Sequence, residues 1–397
     1  MKKQIISYLV SFLVINSFGQ PVFDDENDKC GYPDKRMEAL ANLYSAHWGY
    51  SYDSLLSDIE KWELNNNIHV QSIGQSTLGR EIYELTITNF TPEQTLKHRI
   101  YIHARTHPNE IQSFRVSDEI IRFLSEDTGI GHFLRDRCIF HIVPMYNPDG
   151  VELEYPRENA NNIDLECNWN SEFPEDEVIN LRDRFEGLMR EDNPIEIALN
   201  MHSAYACKRY FVFHHQNGTS DNYTEMEQKF INAVKSNFET GIESWDYYVS
   251  WNNGTPDMYP ESWWWLNYDE QILALTYEDM NCAEAGMYDI TANAILLGIS
   301  EYLDLGYVSD GTFSQTHFSV QVYPNPFVDE LHVAGSTNVR IESISVIDVS
   351  GRIVKTFNPD PSDTQITISD WPVASGMYIL NIRIGNILKS YKLIKTE

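Results

Sequence analysis

The sequence predicts an α/β fold, a mixed sheet flanked by helices, followed by a small all-β sandwich. Three observations carry this. From Asp24 to about Tyr307, short apolar runs alternate with helix-patterned stretches, the texture of a helix-covered sheet. Beyond a polar linker the runs turn to strict alternation broken by "SGR", "NPDPSD" and "SG", which reads as a sandwich of roughly eighty residues. A chain of 397 residues is also long enough for two or three domains, one with a sizeable core. The boundaries read as 1–20, 21–307, 308–317 and 318–397.

Taken in order, residues 1–20 join Lys2 and Lys3 to an apolar run from Ile5 to Ile15 and then Ser17, Phe18, Gly19 and Gln20. That is the layout of a secretory signal peptide. The run is shorter than the ~20 residues of a membrane span, so export is expected, with an N-terminal anchor as the alternative. Strands are expected at "RIYIHA" (99–104), "CIFHIVPMY" (138–146), "IEIALNMHS" (195–203) and "QILALTYE" (271–278). Helices are expected over 110–124, where Ile111, Phe114, Ile121 and Leu124 share a face, and over 293–303. "VSDGTFSQTHF" is the linker. In the tail, "IESISVIDV" and "GMYILNIRI" alternate as half-buried strands do.

Acid dominates: 59 Asp and Glu against 29 Lys and Arg, a formal charge of −30. From Phe318 onward there are 8 acidic and 7 basic residues, which leaves 51 against 22 before it. Such a charge argues against nucleic acid and anionic membrane as partners, and is read as solubility rather than as a substrate preference. Five cysteines (Cys30, Cys138, Cys167, Cys207, Cys282) include no CxxC pair, so neither a zinc–cysteine site nor a redox motif is indicated. The odd number leaves at least one thiol unpaired.

The chemistry concentrates at strand ends. Catalytic zinc takes three protein ligands and keeps one position open. His107 and Glu110, in "HPNE", sit on the turn between a strand and a helix. His202 ends a second strand in "MHS", and Glu278 closes a third in "LTYE". Carboxyl ends of neighbouring strands gather at one crevice of an α/β sheet, so three ligands and a carboxylate for water activation fit one site. A single His-x-x-Glu is weak on its own, since a turn histidine and a helix-start glutamate are ordinary features. His103 lies inside its strand and is read as structural.

These motifs, in this order, resemble the carboxypeptidase A-like zinc metallocarboxypeptidases, from "YSYDSLLSDIEKW" and "SIGQSTLGREIYEL" through to Glu278. "YNPDG" (146–150) is similar to the family's Asn-Pro-Asp-Gly turn, and "RENANNIDLECNW" (157–169) to its segment of substrate arginines. The resemblance implies one zinc ion on His107, Glu110 and His202, Glu278 as general base and Arg157 as the oxyanion's partner. It also implies a peptide or protein substrate. A surface ion pair of Arg157 with Glu154 or Glu158 is the plainer alternative, and a non-catalytic peptide-binding protein is the rival class. A monomer is expected.

Two departures stand out. Where the family grips the terminal carboxylate with Asn-Arg, this sequence has Glu166 and Cys167. A carboxylate repels another. Lys208 or Arg209 could take over, Glu166 could select a cationic group, or the enzyme could act as an endopeptidase or amidase on cell-wall or modified peptides. Cys167 pairing with Cys207 is a further possibility. The family's mobile tyrosine is matched imperfectly by Tyr259 in "GTPDMYPESWWW", where Trp263 and its neighbours either line or underlie the specificity pocket or pack in the core, and Glu261 could select a basic side chain.

The last eighty residues resemble the C-terminal sorting domain of the Bacteroidetes type IX secretion system, on "VYPNPFVDELHV", "IDVSGRIV" and "SGMYILNIRIGNILKSYKLIK". That implies export to the cell surface or beyond, with the type IX machinery as a partner. A carbohydrate-binding or adhesive sandwich is the alternative, but Trp371 and Tyr378 lie in runs that suggest a core.

Overall fold

The computed structural model describes residues 46–307, apart from 92, 93 and 128, and most of 320–396. The expected signal peptide and linker lie outside the described residues. The chain divides after Val308 into two compact units.

The first unit holds strands β1 (Ile68–Gln75), β2 (Glu81–Ile87), β3 (His98–Ala104), β4 (Cys138–Val143), β5 (Ile195–Ala204), β6 (Tyr210–His214), β7 (Tyr248–Ser250) and β8 (Leu273–Met280). They form one sheet in the order β1-β2-β4-β3-β5-β8-β6-β7. The central four run parallel, while β2 and β6 lie antiparallel against them, so the sheet is mixed. Its α-helices are α1 (Tyr52–Trp62), α2 (Ile111–Ser125), α3 (Gly129–Arg137), α4 (Pro148–Glu152), α5 (Asp176–Met189), α6 (Asp221–Asn237), α7 (Pro260–Tyr268) and α8 (Tyr288–Tyr302).

Both faces of the central strands are covered, which is why they read as near-continuous apolar runs. Ile100, Ile102, Leu199, Met201, Leu273 and Leu275 face a core shared with α2, α6 and α8. Tyr101, Ala198 and Ala274 face the opposite core, where Phe185 of α5 and Trp263 and Trp264 of α7 pack. The expected strand over 138–146 stops at Val143, since Pro144 has no N–H to give the ladder. The last helix begins at Tyr288, five residues before the expected start, because its first turn is polar and hides the apolar pattern.

The second unit holds β9 (Val320–Tyr323), β10 (Leu331–Gly335), β11 (Ser343–Asp348), β12 (Ile353–Phe357), β13 (Gln365–Ile368), β14 (Gly376–Ile384) and β15 (Ile387–Lys395). They form a β13-β10-β9 sheet and a β12-β11-β14-β15 sheet, antiparallel throughout. Alternating residues such as Leu331, Val333, Ile344, Val346, Leu380 and Ile382 form its core. Tyr378 is buried in it, and Trp371 packs against Phe327 with ring centroids 4.5 Å apart.

One buried charge ties α5 to the sheet of the first unit. Glu84 of β2 is fully buried and accepts hydrogen bonds from Arg184 Nε (2.9 Å) and Nη2 (2.7 Å). His141 Nδ1 lies 2.9 Å from the same carboxylate. Burial alone would raise its pKa, but the charge and hydrogen bonds of His141 and Arg184 hold it well below the ordinary 4.5. A carboxyl depressed by folding contributes stability above its unfolded pKa and loses it as the pH falls. Glu84→Gln should therefore flatten the fall in unfolding free energy below pH ~4.5, a slope of up to about 1.4 kcal/mol per pH unit for one proton. Urea unfolding across pH 3–6 measures it, and an unchanged slope would remove Glu84 from the account.

Candidate active site

The parallel register builds the site. His202 on β5 lies directly across from Glu278 on β8. His107 and Glu110 sit on the turn that leaves β3, with Glu110 just ahead of α2. The turn is anchored by neighbours that the sequence motifs supply. Asn147 caps α4 by accepting from Gly150 N (2.9 Å), and its amide donates to the carbonyls of Thr106 (3.2 Å) and Glu158 (3.1 Å). Gly150 has no room for a side chain, since a Cβ there would fall 2.4 Å from the Glu158 carbonyl. Asp149, fully buried, holds Arg80 Nη1 at 2.6 Å and Leu78 N at 2.7 Å, so "STLGRE" and "NPDG" are halves of one brace.

His107, Glu110 and His202 are buried and converge. Glu110 bridges the two rings, with Oε1 2.7 Å from His107 Nδ1 and Oε2 2.9 Å from His202 Nδ1. The two Nδ1 atoms are 3.1 Å apart. Two imidazole lone pairs cannot face each other at that distance without a shared positive charge. Nitrogen and carboxylate donors from three residues are what a catalytic zinc site offers. Each ring is backed by a carboxylate on its far side, as metal-bound histidines usually are. His107 Nε2 meets Asp164 Oδ1 at 3.1 Å, and His202 Nε2 meets Glu166 Oε2 at 3.2 Å. The donor set therefore fits zinc.

Electrostatics agree with that fit. Burial would lower the pKa of His202, but Glu166 and Glu110 raise it well above the ordinary value. Burial would raise Glu110, but His107 and His202 hold it well below. Protons and a divalent cation thus compete for the same atoms, so metal uptake releases protons. Burial, then the charge of Glu110, pushes Glu278 up to about 8. Its Oε2 is buried without a hydrogen-bond partner among the described residues.

Arg157 pairs with neither Glu154 nor Glu158 through its guanidinium. Nε and Nη2 donate to Asp164 Oδ2 at 3.1 and 3.0 Å. Asp164 thereby holds Arg157 with one oxygen and His107 with the other, a double role that sequence reading missed. Its Oδ1 also accepts from Glu166 N at 3.0 Å, which starts the 3-10 turn Leu165–Cys167. Asn200 was missed too. It lies two residues before His202 on the same face of β5, where strand alternation could have found it.

Two expectations are corrected. Cys207 pairs with Cys282, Cα atoms 5.6 Å apart, and not with Cys167, which is itself disulfide-bonded. Among the described residues the unpaired thiol is the buried Cys138. Nor is Arg209 a solvated or spare cation. It is buried and donates to Asp279 Oδ2 at 3.1 Å, while the exposed Lys208 is held at Glu243. The two cations that lie nearest His202 in sequence, weighed as replacements for the missing clamp, are thus committed elsewhere. Trp263 packs in the core against Trp169, Phe185 and Trp264, with tilted and edge-on rings, and Tyr259 precedes α7 half-buried.

Comparison with known proteins gives two family matches. A zinc carboxypeptidase model matches residues 60–295, and a secretion system C-terminal sorting domain model matches residues 321–396. The second indicates type IX secretion to the cell surface or outside. Cytosolic carboxypeptidase 6 of Mus musculus is 39% identical over 103 residues, covering 25% of this chain and 19% of that protein. Cytosolic carboxypeptidase 2 of Xenopus tropicalis is 32% identical over 136 residues, covering 32% and 14%. The matched stretches are thus a small part of those relatives. Among solved structures, a metallo-carboxypeptidase from Burkholderia cenocepacia superposes with TM-score 0.55 at 19% identity, over 64% of this chain and 70% of that one. One from Pseudomonas aeruginosa gives 0.56 at 18%, over 64% and 69%. At such identities these establish the fold.

Asp164→Asn should weaken zinc binding by roughly 10–100-fold, the usual effect of losing a ligand's carboxylate support. Competition against a chromophoric chelator measures it. Unchanged affinity would mean that Asp164 serves Arg157 alone.

Proposed function

Because the chain belongs to the zinc carboxypeptidase family, we propose that it is a secreted zinc metallopeptidase that hydrolyses a peptide bond at or near the C-terminus of its substrate. The observation that carries this reading is the convergence of His107, Glu110 and His202 beside a half-buried Glu278 whose Oε2 is buried and unpartnered among the described residues. These three residues would hold zinc, which when bound polarises the scissile carbonyl and lowers the pKa of a water. Glu278 takes the proton of the attacking water at Oε2 and returns it to the leaving amine. A carboxyl whose pKa is raised toward the working pH is suited to both halves of that transfer. Arg157, steadied by Asp164 through Nε and Nη2, has Nη1 left to meet the developing oxyanion. Asp164 is a positioning residue for both His107 and Arg157.

A second reading has its own support. Glu166 stands where the resemblance expects half of the terminal-carboxylate clamp, and it is hydrogen-bonded to His202 and Asn200. With Lys208 and Arg209 committed elsewhere, a zinc-dependent amidase or endopeptidase on cell-wall or otherwise modified peptides is the alternative.

Glu278→Gln should retain one zinc per chain and lose at least on the order of 10²–10⁴-fold in kcat, the range for a general base. Arg157→Met should lose on the order of 10²–10³-fold in kcat. The deciding test compares one peptide library with free C-termini against the same library amidated, with Glu278→Gln as the blank. Loss of the last residue from free-ended peptides alone establishes the carboxypeptidase. Cleavage of amidated peptides, or internal cuts, establishes the alternative.

A further inference from the structure

Two residues along each strand from His202 and Glu278, toward the interior, lies a second polar row. His103 on β3 pairs in register with Asn200 on β5, and Asn200 with Thr276 on β8. Strand alternation puts this row on the same face as His202 and Glu278, roughly 7 Å away. Two carboxylates from separate elements meet over it. Asn200 Nδ2 lies 3.1 and 3.0 Å from Glu166 Oε1 and Oε2, and 3.1 Å from Glu261 Oε1. Thr276 Oγ1 donates to Glu261 Oε1 at 2.8 Å.

The row is short of positive charge and of donors. An amide has two N–H groups, yet three carboxylate oxygens crowd this one. Among the described residues, Glu110, Asp164, Glu166 and Glu278 interact electrostatically with the guanidinium of Arg157, Glu110 also with that of Arg105, and Glu261 adds a fifth carboxyl beside Glu166. Even a divalent ion therefore leaves the ionised site negative. An independent observation comes from His103. It is only 2% exposed, yet neither ring nitrogen has a hydrogen-bond partner among the described residues. Its ring lies edge-on to Tyr146, centroids 5.6 Å apart, and it interacts electrostatically with Glu166. A buried imidazole is seldom left without a partner unless something else supplies one.

We propose that Glu166 and Glu261, over the floor of His103, Asn200 and Thr276, form a subsite for a primary ammonium or guanidinium on the part of the substrate that leaves. The cation takes the ground that a terminal-carboxylate clamp would hold. It supplies the donors that the two carboxylates lack, and a neutral His103 nitrogen accepts one of its hydrogens. Both carboxylates are nearly buried, which strengthens their pull on a charge. This assignment rests on the peptidase reading for its catalytic consequence, but binding tests it alone.

The experiment uses the zinc-loaded full chain with two matched ligands, the Nα-acetylated forms of L-lysine amide and L-norleucine amide, which differ only in the side-chain ammonium, titrated by calorimetry. It also uses matched acyl-peptides with lysine or norleucine as the leaving residue. Lysine amide should bind at least about tenfold tighter, and kcat/KM should favour lysine by on the order of 10²-fold or more, as expected for a site built around a polar group. Glu261→Gln should lower both ratios by about tenfold with zinc content unchanged. Equal binding of the two amides by the wild-type chain overturns the subsite, whatever the variant does. So does a Glu261→Gln effect that is the same for both ligands, since mere support of the site would act equally. If lysine amide is preferred but no peptide is cut, the subsite stands and the peptidase reading falls.

Discussion

Two imidazole nitrogens held 3.1 Å apart, with one carboxylate bridging them, form the contact around which the catalytic unit is arranged. Such a contact is repulsive unless a proton or a metal ion is shared among the three groups. The surrounding structure is what makes it persist. His202 is fixed by the ladder between β5 and β8, and His107 by a turn whose backbone is gripped by Asn147. Behind each ring a carboxylate fixes which nitrogen faces inward. The brace of Arg80 and Asp149 then locks the turn after β4 to the hairpin of β1 and β2.

Negative charge is gathered here by design of the packing. Asp164 and Glu166 flank one short turn and serve different rings, so the turn sets both supports at once. Arg157 donates twice to one oxygen of Asp164, which gives the guanidinium a definite orientation instead of a mobile surface charge. The backbone of this segment is close-packed as well: a Cβ at Gly150 would collide with the Glu158 carbonyl next to Arg157.

The centre was legible because its groups stand at the ends of strongly apolar runs. "RIYIHA", "IEIALNMHS" and "QILALTYE" each announce a strand, and His107, His202 and Glu278 follow from where those strands stop. What escaped was set by contacts between distant segments. Asp164 looks like an ordinary acid until β3 and the turn after Arg157 are seen together. Arg209 reads as a surface cation until Asp279, seventy residues on, is placed beside it. Cys207 could not be assigned to Cys282 by spacing, because the pairing depends on β5 and β8 lying side by side. His103 was read as structural from its position inside a strand, and only the register reveals that it shares a row with Asn200. The tail was read well because alternation is a local property, and Val333, Ile344, Val346 and Leu380 point inward as written.

The regular spacing of the β5 and β8 ladder has a consequence for how such an enzyme could change over evolutionary time. His202 and Glu278 occupy one step of the ladder and the Asn200–Thr276 pair the step beneath it. The two steps are joined through Glu166, which meets Asn200 on the lower step and His202 on the upper, so a substitution at Asn200 is felt at His202 as well. Change over evolutionary time is thereby channelled: Thr276, which bonds Glu261 and not Glu166, is the freer of the two lower positions.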